Sequence, residues 1–159
     1  MNEKISTNAY PSQTEKISRF QMLESLKTLP VNGFLQQDTC VDAAWENLEY
    51  LDMLPDTKKI SKSKIRSMYS ELCDIAQTHT AAGKSDLSDT EIARLRRLRI
   101  RIVYDMGRDS AVMMFVEKTH ILAYLVYVEK CRKHSDFTLF CKYFAALIAF
   151  HRFMNPNGN

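Results

Sequence analysis

The chain has 159 residues and a mass of 18.4 kDa, the size of one domain, with 45% hydrophobic and 26% charged residues. This is too apolar for a largely disordered chain, and four Gly and four Pro are too few for a turn-rich all-β fold. The net charge of +3 averages unlike segments: residues 1–54 carry −4, residues 58–108 carry +6 and residues 109–159 carry +2.

In chain order, residues 1–34 read as an extension, mobile or forming one peripheral helix, because the pattern Ile17, Phe20, Leu23, Leu26 is bracketed by Pro11, Pro30 and Gly33. A helical bundle domain is expected over 35–154, and Asn155-Pro156-Asn157-Gly158 opens a tail over 155–159. The first firm helix spans about Thr39–Leu54, with Val41, Trp45, Leu48 and either Leu51 or Asp52 on one face, Asp38 or Thr39 as cap and Pro55 after its end. The second runs from Ser61 or Ser63 to about Thr80 on Ile65, Met68, Tyr69, Leu72, Ile75 and Ala76, and residues 81–88 read as a loop. A third starts at Ser88 or Asp89, with Glu91 in its first turn, and reaches at least Met106. Gly107 is either its cap or a point of close approach, and Asp109 is placed to cap a new start.

A fourth helix is expected over about Ser110–Cys131, too apolar all round for a lone surface helix, and a fifth over about Asp136–Phe153. Arg99-Ile100-Arg101-Ile102 alternates like a half-buried strand, yet Leu95, Leu98, Ile102 and Met106 keep helical spacing through it, and no Gly or Pro occurs from 84 to 106. The fold class is therefore all-α, a bundle of about five helices with short loops.

Helical spacing also organises the charge. Arg94, Arg97, Arg101 and Arg108 fall on one stripe opposite Leu95, Leu98, Ile102 and Met106, with Arg96 and Arg99 at the core edge and Asp105 four residues after Arg101 as a candidate partner. Lys62 and Arg66 are four apart at the start of the second helix, beside Lys58, Lys59 and Lys64. Arginine forks and a helix N-terminus both suit phosphate oxygens. Tyr69 and Tyr104 are placed either to stack on a base or to join the core. A surface of this kind reads backbone rather than sequence. Two other occupants remain open at this level: an acidic protein partner, or the acidic segment 38–56 of a neighbouring copy, a head-to-tail contact that propagates.

Little else carries chemistry. Cys131, His134, Cys141 and His151 lack the tight ligand pairs of a structural zinc site, and His120 reads as a packed histidine. Gly83-Lys84-Ser85 lacks the upstream glycines of a phosphate loop, and Asp105, Asp109 and Glu117 read as pair partner, cap and surface. No catalytic residue, metal ligand or cofactor is expected. No run approaches the roughly 18 uninterrupted apolar residues of a membrane span. The polar start at Met1-Asn2-Glu3-Lys4 is unlike a secretory leader, and the scattered Cys40, Cys73, Cys131 and Cys141 read as free thiols, so a cytoplasmic protein is expected.

Three segments in order, Lys64-Ile65-Arg66, then Arg99-Ile100-Arg101-Ile102-Val103-Tyr104-Asp105-Met106-Gly107-Arg108, then Phe140-Cys141-Lys142-Tyr143-Phe144-Ala145-Ala146-Leu147-Ile148-Ala149-Phe150, resemble the small subunit of the type III-A CRISPR effector, the Csm complex, over roughly residues 38–154. The resemblance implies a small, all-helical, non-catalytic subunit of an antiviral ribonucleoprotein. Copies of it would stack on one another against the backbone subunits that hold guide RNA and against the large subunit. Their basic residues would run along the duplex of guide RNA and single-stranded target RNA. By similarity Lys64 and Arg66 match the first basic motif, Arg101, Tyr104 and Arg108 the second, and Lys142 the last. With the stripe, the expected RNA-binding set is Lys62, Lys64, Arg66, Arg94, Arg97, Arg101, Tyr104, Arg108 and Lys142. Met106 stands where relatives often have Ala and Phe150 where Tyr is common, and neither change removes a charge. The alternative is a protein–protein scaffold whose basic face meets acidic subunits.

Overall fold

Apolar residues at three- and four-residue spacing favour amphipathic helices that share one core. The computed structural model describes residues 13–55, 58–82 and 85–157. In them the helices are α1 (Gln13–Leu26), α2 (Cys40–Asp52), α3 (Lys62–Ala82), α4 (Asp89–Arg108), α5 (Ser110–Thr119), α6 (Ile121–Cys131) and α7 (His134–Met154). The chain is all-α as expected; the described residues hold seven helices rather than about five.

One of the extra helices is α1. The other arises because the expected fourth helix breaks at His120, which takes a left-handed φ of 57°, so that α5 and α6 meet at 59°. The Tyr143 hydroxyl donates to the Thr119 carbonyl at the break (2.7 Å), and Asn47 donates to the Tyr143 hydroxyl (3.0 Å). A non-glycine residue in this conformation costs about 1–2 kcal/mol. The bend offsets that cost by burying Val112, Phe115 and Val116 of α5 and Ile121, Leu122, Leu125 and Val128 of α6 together.

Other boundaries follow local chemistry. Ser88 caps α4 in a reciprocal box: Glu91 N–H donates to Ser88 Oγ (3.2 Å), and Ser88 N–H donates to Glu91 Oε2 (2.6 Å). Asp109 ends α4 and caps α5, its Oδ1 accepting from Ala111 N–H at 2.9 Å. Gly107 is neither a cap nor a close approach: it lies inside α4, and a Cβ there would meet nothing within 4 Å. The N-cap of α2 is Thr39, whose side chain makes no capping bond. Part of the expected 81–88 loop is also helical, since α3 continues to Ala82.

The core gathers Leu48, Ile65, Met68, Leu72, Leu95, Phe115, Leu125, Phe137, Phe140, Phe144 and Leu147. In α2 the buried stripe is Cys40, Ala44, Leu48 and Leu51, while Val41 and Trp45 lie on its flank, 38% and 39% exposed. Their expected core placement is thus corrected by one position around the helix. Trp45 still meets the Phe150 ring edge-on at 5.0 Å. The segment before α2 is tied down by Phe34, stacked on Tyr127 with centroids 4.3 Å apart. On length and composition α7 could cross a membrane, but its Phe137, Phe140, Phe144 and Leu147 are buried, as in the core helix of a bundle.

Candidate nucleic-acid interface

Burial of Ile92, Leu95, Leu98, Ile102 and Met106 turns the opposite face of α4 outward. Ile100 is 68% and Tyr104 60% exposed, and Arg97, Arg101 and Arg108 are exposed with them. The helical reading of 99–102 holds, since a strand would have sent Ile100 inward with Ile102. Arg101 donates from Nη2 to the Ser67 carbonyl of α3 at 2.9 Å, not to Asp105 as spacing within α4 indicated. Arg108 lies over the Tyr104 ring, 5.3 Å from its centroid, and donates to its hydroxyl at 3.2 Å. Both guanidinium groups are held by neutral acceptors, and among the described residues neither forms an ion pair.

Two members of the expected set are already committed to the fold. Arg94 donates from Nε to Glu71 of α3 at 3.1 Å, and Lys64 pairs with Asp109, the cap of α5. Hydrogen bonding from Lys64 is the main cause that holds the Asp109 carboxyl below its ordinary value. Arg96 and Arg99 reach the buried Glu129 of α6, at 3.8 and 3.3 Å. Burial pushes the Glu129 carboxyl up while Arg99 and Arg96 pull it back, and its Oε1 has no hydrogen-bond partner among the described residues. Sequence spacing gives no sign of these pairings, because Glu129 sits in an apolar run.

Of the remaining set, Arg66 is exposed and Lys62 half-buried on the side of α3 that faces α7, where a cleft is lined by both with Arg152. Burial, then the nearby Arg152 and Arg66, lowers the Lys62 ammonium from its ordinary value. Lys142 is exposed on α7, and no hydrogen bond or ion pair among the described residues joins it to the α4 stripe. Tyr69 stacks on Phe144 at 5.8 Å and belongs to the packing, whereas Tyr104 belongs to the surface. The stripe is therefore real as a surface of α4: α3 supplies the acceptors of Arg94 and Arg101, and Tyr104 of α4 supplies that of Arg108.

Residues 47–157 match the family model described as Csm2 Type III-A, which is well over half of the chain. The chain belongs to the Csm2 family. Among curated relatives, a Csm2 protein described as "CRISPR system Cms protein Csm2", from Enterococcus italicus, is 34% identical over 97 residues, covering 59% of this chain and 67% of the relative. Proteins of the same description from two Mycobacterium tuberculosis strains are each 33% identical over 63 residues, 40% of this chain, and the match spans about half (49%) of their length. The Csm2 match includes α3 to α7 and with them Lys62 to Arg152, while α1 lies before it. Membership makes the chain a Csm2-type component of a type III-A CRISPR system.

Proposed function

We propose that this chain is a non-catalytic structural subunit of a type III-A CRISPR effector, working in the cytoplasm in antiviral defence. In this reading it stabilises guide RNA–target RNA pairing through contacts to phosphate that do not depend on sequence. The observation that carries the reading is the outward face of α4. Arg97, Arg101 and Arg108 are exposed beside Ile100 and Tyr104, with Arg101 fixed by the Ser67 carbonyl and Arg108 by the Tyr104 hydroxyl. Pre-positioned forks lose little side-chain freedom on meeting phosphate, and Tyr104 with Ile100 offers a surface for sugars or a base face. Family membership supports a place among other subunits of the complex; in this reading the protein partners are backbone and large subunits and neighbouring copies, and the nucleic acid is guide and target RNA.

The test is an assembled effector carrying Arg101→Ala with Arg108→Ala. Target RNA retention should weaken, equally for unrelated cognate sequences, and the slope of log affinity against log salt should flatten by roughly 0.7 for each phosphate left without its arginine. Unchanged retention across the salt titration would remove the RNA reading. Loss of the subunit from the complex before any RNA effect would favour the scaffold reading instead.

A further inference from the structure

Beyond α4, the described residues contain a second concentration of positive charge, at the start of α3 and the end of α7. Lys62 and Arg66 stand one helical turn apart on α3, and they line a cleft together with Arg152 of α7, Ile65, Ile148, Ala149 and His151. None of the three cations has a carboxylate partner among the described residues, whereas Lys59 close by pairs with Asp52 at 3.5 Å and Lys64 pairs with Asp109. Arg152 is steadied by donating from Nη1 to the Pro156 carbonyl at 3.1 Å. His151 does not compete, because its Nε2 is engaged with the Ile60 carbonyl at 3.2 Å. Three such cations around one cleft repel one another, and among the described residues no anion offsets that repulsion.

We infer that this cleft is a phosphate-binding subsite, in which Lys62, Arg66 and Arg152 together hold one phosphate group. Burial is the larger cause that lowers the Lys62 ammonium, and the nearby Arg152 and Arg66 add to it by repulsion, which a bound dianion or phosphodiester would offset. Two guanidinium forks with one ammonium match the oxygens of a phosphate better than those of a single carboxylate. The inference deepens the proposed RNA reading and rests on it, since Lys62 and Arg66 belong to the expected set. Arg152 is new to it, and it adds the last turn of α7 to the binding surface. The phosphate has two chemical sources, the backbone of an RNA strand and a free phosphate monoester.

The experiment follows the Arg152 side-chain Nε–H resonance of the full chain by NMR. The chain is titrated with a single-stranded RNA oligonucleotide and, separately, with inorganic phosphate. A shift that saturates with the oligonucleotide and disappears in Lys62→Gln/Arg66→Gln supports an RNA-backbone subsite. A shift that saturates with inorganic phosphate at comparable concentration supports a site for a free monoester. No saturable shift with either overturns the inference.

Oligonucleotide affinity measured over salt separates this subsite from the α4 face. Arg152→Gln should flatten the salt slope by roughly 0.7 and Arg152→Lys should restore most of the affinity. If Arg152→Gln changes nothing while Arg101→Ala/Arg108→Ala weakens binding, the subsite fails and the α4 reading stands. The opposite pattern keeps the subsite and removes the α4 reading.

Discussion

Asp109 joins the fold to the basic surface, and replacing it tests both at once. Its Oδ1 caps α5 through Ala111 N–H at 2.9 Å, and its Oδ2 takes the Lys64 ammonium from α3. Loss of a helix cap costs about 1 kcal/mol. The ion pair adds at most about 1 kcal/mol, because Lys64 and Asp109 remain 39% and 32% exposed and water screens them. Asp109→Ala should therefore lose about 1–2 kcal/mol, a fall in Tm of roughly 3–6 °C for a chain of this size. Asp109→Asn keeps an oxygen for the cap and removes only the charge, so it should lose less than about 1 kcal/mol.

The sign with pH follows from the direction of the shift. A carboxyl held below its ordinary value of 3.8 stabilises the fold above that value, and the contribution is lost as pH falls through the folded pKa. Urea unfolding of the three proteins at neutral pH and at strongly acid pH should show the differences narrowing in acid. In RNA binding the order should reverse: both variants free the Lys64 charge, so both should bind a single-stranded oligonucleotide more tightly, with a steeper salt slope. An Asp109→Asn loss as large as that of Asp109→Ala would refute the division between cap and ion pair. Weaker RNA binding by both variants would refute the claim that Asp109 withholds Lys64 from the surface.

Two further outcomes follow from buried groups. Glu129, raised above its ordinary 4.5 mainly by burial, binds a proton more readily folded than unfolded, so its contribution to stability falls as pH rises from about 4.5 through the folded pKa. Glu129→Gln should flatten the pH dependence of urea unfolding in that window, and an unchanged dependence would show that Arg99 and Arg96 cancel the burial. Tyr143→Phe leaves the Thr119 carbonyl and the Asn47 amide without their partner, and should cost about 1–3 kcal/mol with no change in RNA affinity, measured by urea unfolding beside oligonucleotide titration.

Local chemistry makes α4 legible in the sequence. Ser88 with Glu91, the periodic Leu95, Leu98, Ile102 and Met106, and Asp109 at the junction specify the helix and both its ends. The break at His120 is not legible, because no Gly or Pro marks it and its reason, the contact from Tyr143, lies far along the chain. In α2 the pattern favours the large Val41 and Trp45, but the small Cys40 and Ala44 allow close packing and turn the helix by one position. Spacing within one helix pairs Arg101 with Asp105, whereas the acceptor it reaches comes from α3. Arg152 stands ten residues from Lys142 in a largely aromatic helix, and only the packing of α7 on α3 sets it beside Lys62 and Arg66.

The most direct measurement is a reconstruction of the assembled, target-bound effector detailed enough to place the side chains of this chain. At least two of Arg97, Arg101 and Arg108 should lie within hydrogen-bond distance of RNA phosphate oxygens, with no side chain of that face on a base edge. A face of α4 packed instead against a protein subunit, with RNA elsewhere, would contradict the RNA-backbone reading.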